Sequence, residues 1–149
     1  MITLNKYTIP VPKELLLRID RTSSPVHCGS LRNAVDLIAP QSTPVLAAAD
    51  GVVTFVHDNC TIGGPSPSYW NYTNFITIMH SKGEYSRYDH LEYGSAKVRV
   101  GHQVHAGQEI AKVGMTGYTY IPHLHFHVFV YTGYNIWTDF DTLEVKYFI

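Results

Sequence analysis

The chain has 149 residues, 45% of them apolar, 15% charged, with a formal net charge of −1. That is enough for one ordinary domain with its own core, residues 1–149, and the composition excludes a disordered chain. No clustered basic face is present for nucleic acid, and the longest apolar runs are strand-sized, so no segment spans a bilayer as a helix.

In chain order, residues 1–20 lack the basic start, apolar core and small-residue cleavage site of a secretory signal. Residues 12–20 predict a short helix, with Leu15, Leu16 and Ile19 at roughly helical spacing. Beyond them, β-branched and aromatic runs predict strands at 34–38, 52–57, 75–80, 84–90, 97–100, 109–113, 124–131 and 143–149. Residues 61–71, rich in Gly, Pro and Ser, predict a loop. The expected fold is all-β and mostly antiparallel: a barrel-sandwich-hybrid-like, two-sheet domain with little helix. Turns near Pro44–Val53 and Val104–Ile110 are similar to those of biotinyl and lipoyl carriers, but Val113-Gly114-Met115-Thr116-Gly117 has no lysine to carry a group.

Nine histidines and eleven tyrosines stand out. Pro122-His123-Leu124-His125-Phe126-His127-Val128 places three histidines on one face of a strand and three apolar residues on the other. Such a face can offer a metal ligand with a second imidazole beside it, or it can be a solvated face that happens to carry histidines. The helical HExxH zinc motif is absent. A catalytic zinc needs three protein ligands and an open position. Asp36, set in an apolar strand, is either such a ligand or a strand-edge carboxylate capping a turn. Cys28 and Cys60 are too few for a disulfide framework, and their pairing is open.

Four segments then carry a specific resemblance. His27 is followed by Ala34-Val35-Asp36-Leu37-Ile38-Ala39-Pro40, Thr43-Pro44-Val45 and Ala48-Ala49-Asp50-Gly51-Val52-Val53. Tyr88-Asp89-His90-Leu91, the glycine-bearing run from Gly101 to Gly117, and Pro122-His123-Leu124-His125-Phe126 follow. This ordered set, across residues 26–128, resembles the lysostaphin/LytM-type zinc metallopeptidases. The resemblance implies one Zn²⁺ held by His27, Asp36 and His125, with His90 and His123 as the catalytic pair beside the activated water. It implies hydrolysis of peptide bonds in cell-wall peptidoglycan, or another peptide, at an extracytoplasmic site.

Two positions depart from the family pattern. His127 stands where Glu is usual, beside a ligand it does not replace, and Gln41-Ser42 stands where a glycine usually precedes Thr-Pro-Val. All five implied site positions are kept. Tyr69, Trp70, Tyr118 and Tyr120 are candidates for substrate contact, against a reading as ordinary loop packing. His80 is expected to be structural, and His57, His102 and His105 solvated. The competing functions are a metal-bound scaffold that regulates another cell-wall hydrolase and a histidine phosphocarrier on a related β-sandwich.

Overall fold

The computed structural model describes residues 1–21, 27 and 29–145. Twelve strands follow in order: β1 (Arg18–Asp20), β2 (Val35–Ile38), β3 (Pro44–Leu46), β4 (Gly51–His57), β5 (Gly63–Gly64), β6 (Phe75–Met79), β7 (Tyr85–Asp89), β8 (Gln103–Val104), β9 (Glu109–Lys112), β10 (Gly117–Tyr118), β11 (His123–Tyr131) and β12 (Phe140–Leu143). Eight of them form one sheet in the order β1-β2-β11-β7-β6-β4-β8, with β12 also on β11. The pairs β3–β9 and β5–β10 make two smaller sheets, and only β5–β10 is parallel.

Strand alternation sorts the large sheet into two faces. Leu37, Ile76, Ile78, Tyr88, Leu124, Phe126 and Val128 point inward and are fully buried. They share one core with Val45, Ala47, Ile110, Ala111 and Val113 of the β3–β9 region. Each large aliphatic or aromatic side chain buried there contributes about 1.5–3 kcal/mol. The second layer is therefore small, and the fold is the expected all-β, multi-sheet one.

Register carries function onto the opposite face. His125 pairs with Asp36 of β2 on one side and Asp89 of β7 on the other, and His127 pairs with Arg87. All of these lie on the face away from the core.

Two expectations are corrected. Residues 12–20 form no α-helix: Lys13–Leu15 is one 3₁₀ turn, after which Leu17 N–H donates to Ile38 C=O and β1 pairs with β2. Edge pairing to an existing sheet outweighs the weak helical period. Residues 97–100 form no strand, although Lys97 N–H reaches Ile110 C=O. Of the strand expected at 143–149, Leu143 ends β12, and residues 146–149 lie outside the described residues, so that expectation is not decided.

Candidate metal centre and active site

Three imidazole nitrogens surround one carboxylate oxygen. Asp36 Oδ1 lies 3.2 Å from His27 Nε2, 3.1 Å from His125 Nδ1 and 3.5 Å from His123 Nε2. The ligand atoms of His27, Asp36 and His125 all fall within 4.8 Å of one another. A tetrahedron with arms of about 2.0–2.1 Å has edges of roughly 3.4 Å, so these separations suit a shared small cation. Asp36, His123 and His125 are buried, and the His27 side chain is 1% exposed. The donor set fits zinc, whose ligands are imidazole and carboxylate in an enclosed, three-ligand site.

The electrostatics agree. Burial alone would raise the Asp36 carboxyl, but the imidazoles of His125 and His27 against it hold it well below the usual carboxylate range. Burial works against charging His27, yet the hydrogen bond and charge of Asp36 outweigh it and raise its pKa. Asp36 is thus an anion aimed at ring nitrogens, an arrangement that a cation between them satisfies.

Two further histidines face this group with their tautomers set. His90 Nδ1–H donates to Thr116 C=O at 2.7 Å, leaving Nε2 as the ring's acceptor. His123 Nδ1–H donates to Ile121 C=O at 2.8 Å, with Thr119 Oγ1 at 3.1 Å, leaving its Nε2 toward Asp36. The two rings are 4.8 Å apart, centre to centre. Burial, then the neighbouring His123, pushes His90 down to about 4; burial likewise lowers His123. Both are neutral near pH 7 and able to accept a proton. His90 also sits at φ +69°, a left-handed conformation uncommon for a residue with a side chain and frequent at functional positions.

Behind His125, its Nε2 meets His127 Nδ1 at 3.3 Å and Asp89 Oδ2 at 4.0 Å. Asp89 is in turn paired with Arg87 Nε at 2.7 Å. These contacts orient the ring so that Nδ1 turns to Asp36.

A model of peptidase family M23 matches residues 30–136. The chain belongs to that family. M23 is a family of peptidases, and among the described residues His27, Asp36 and His125 form a group that could hold a metal ion. A DD-carboxypeptidase/endopeptidase, Mpg, of Neisseria meningitidis is 39% identical over 101 residues, 68% of this chain and 20% of that protein. The chain thus spans about a fifth of the length of this relative. Peptidoglycan DD-endopeptidases of Vibrio cholerae also match, at 36% and 35% identity. Among solved structures, a zinc-containing peptidase from Vibrio cholerae superposes with a TM-score of 0.61 at 30% identity, covering 83% of this chain and 36% of that one. The catalytic domain of lysostaphin from Staphylococcus simulans gives 0.55 at 30% identity, covering 74% of both chains.

The four aromatic candidates for substrate contact divide. Trp70 and Tyr118 line a cavity of about 570 Å³ that adjoins His90 and His125. Tyr69 packs against Gly64, and Tyr120, 64% exposed, meets Tyr118 through their hydroxyls at 3.1 Å; neither lines the cavity. The histidine face is buried, not solvated. Sequence reasoning missed Arg87, Phe75 and Trp137 in that wall. Alternation on β6 and β7 carries the signal for the first two; no local pattern marks Trp137.

His80 is structural as expected: Nδ1 reaches Asp50 C=O and Nε2 reaches Ser86 Oγ, both at 2.7 Å. His102 and His105 are exposed. His57 is not a solvated residue, since it ends β4, stacks on Phe75 and lines the cavity. Cys60 lies 3.3 Å from His57 Nε2, and Cys28 is outside the described residues.

Proposed function

We propose that this chain is the catalytic domain of a zinc endopeptidase that hydrolyses peptide bonds in bacterial cell-wall peptidoglycan, acting outside the cytoplasm. The observation that carries the reading is the convergence of His27 Nε2, Asp36 Oδ1 and His125 Nδ1 beside two neutral histidines. Those three residues would hold zinc, which supplies a Lewis acid and brings the pKa of water down to near 7.

The chain's own groups do the remaining work. The Nε2 atoms of His90 and His123 are the free acceptors of the pair, so one takes the proton from the attacking water. The imidazolium so formed is the proton source for the departing amine, and the carbonyl contacts at each Nδ1 keep both rings aimed throughout. Asp36 stays ionised because its imidazole partners hold it so. The relatives named peptidoglycan DD-endopeptidases support the substrate class, and the place of action follows from where that substrate lies.

Mass spectrometry of defined peptidoglycan fragments after digestion with zinc-loaded protein tests this. The expected result is cleavage at one class of peptide bond, reduced about 10²–10⁴-fold by His123→Ala. Bound zinc with no cleavage products would instead mark the domain as a metal-bound scaffold for another hydrolase.

A further inference from the structure

The cavity beside the metal group contains donors to which the hydrolytic reading gives no role, the terminal amino groups of Arg87. Its lining holds a single cationic side chain, Arg87, and a single carboxylate, Asp89. Arg87 Nε donates to Asp89 Oδ1 at 2.7 Å, and the guanidinium carbon lies 3.9 Å over the Phe75 ring. That contact occupies one edge of the fork. Among the described residues no other hydrogen bond engages its two terminal amino groups, and the side chain keeps 27% of its surface exposed.

Aromatic rings stand around it. Trp137 meets Phe75 edge-on at 6.2 Å and Phe55 at 5.4 Å, and Phe140 stacks on His127. The planar donors of a guanidinium match a carboxylate. Rings that displace water strengthen such a contact.

Donor geometry fixes what the occupant must bring. Arg87 meets Asp89 through Nε alone, so its terminal amino groups are the donors that an occupant of the cavity would meet. A volume of about 570 Å³ holds a substrate residue or two, not an extended chain. We infer that this cavity is a specificity subsite for a substrate residue bearing a free carboxylate, with Arg87 as receptor and Phe75 and Trp137 as walls. The inference rests on the peptidase reading and names which substrates that site prefers.

The test compares cell-wall fragments in acid form with the same fragments after carbodiimide coupling to ammonia, which turns carboxylates into carboxamides. The wild-type protein is expected to show a kcat/KM about 10- to 100-fold higher on the acid form, the range of a hydrogen-bonded contact to a charged group. Arg87→Gln is expected to flatten that ratio, and Arg87→Lys, which keeps charge but not the fork, to restore part of it. Equal kcat/KM of the wild type on both forms would overturn the subsite while leaving the peptidase reading intact, and needs no variant to fold. Cleavage of neither form would count against the peptidase reading; binding then decides the subsite. Intrinsic tryptophan fluorescence would be titrated with acetylglutamate methylamide and its glutamine counterpart. Preference for the acid, lost in Arg87→Gln, supports the subsite, and equal or absent binding overturns it.

Discussion

At the scale of single residues, the site depends on rings whose donor and acceptor atoms are fixed by backbone carbonyls. His90 shows this most sharply, because its useful orientation is coupled to φ +69°. Asparagine tolerates that conformation, and its amide can still donate to Thr116 C=O, but it offers no basic nitrogen. His90→Asn is therefore expected to change unfolding free energy by no more than about 1 kcal/mol while lowering peptidase turnover at least about 10²-fold. Denaturant unfolding beside a rate measurement checks it. A variant that unfolds readily, or that keeps its turnover, would assign His90 a structural role.

Among elements, the pairing of β2, β11 and β7 is what brings distant residues together. Alternation in the sequence placed His123, His125 and His127 on one face, and the strands at 34–38 and 84–90 were legible from their β-branched and aromatic residues. The register His125↔Asp36 and His125↔Asp89 was not, since no local pattern specifies which residues of separate strands align. The proposed ligand set rests, in the sequence, on the ordered motifs alone. Short elements such as β3, β5 and β10 escaped because two or three residues give no period. Gly117, in the tight approach of β10, shows what such a short element demands. It has φ +82°, and a Cβ there would lie 2.1 Å from Thr73 Oγ1 and 2.9 Å from Thr73 Cα. Gly117→Ala is expected to destabilise the fold by about 2 kcal/mol or more and to displace Tyr118 from the cavity wall. Thermal unfolding that matches the wild type would contradict this.

For the whole molecule, buried neutral histidines tie stability to pH. His80, His90, His123 and His127 are all held below the ordinary imidazole value, with burial the leading cause in each. Unfolding frees them to take up protons, so their contribution is full above about pH 6.5 and falls away as pH drops toward their folded values. His27, raised by Asp36, works in the opposite sense, with stability present below about pH 6.5 and lost as pH rises through its folded value. Four groups outweigh one. The metal-free protein is expected to lose thermal stability steadily from pH 6.5 to 5, and His80→Asn to lessen that slope. A flat or rising Tm over this window would contradict the assignment. The same crowding of buried imidazoles around Asp36 would make metal occupancy a property of the whole fold, because in the proposed centre β2 and β11 would supply two ligands and His27, before β2, the third. Equilibrium zinc binding by chelator competition measures this most directly. One zinc per wild-type chain is expected, with affinity lost in Asp36→Ala and His27→Ala but kept in His123→Ala. Wild-type zinc affinity in folded Asp36→Ala would contradict the metal centre described here.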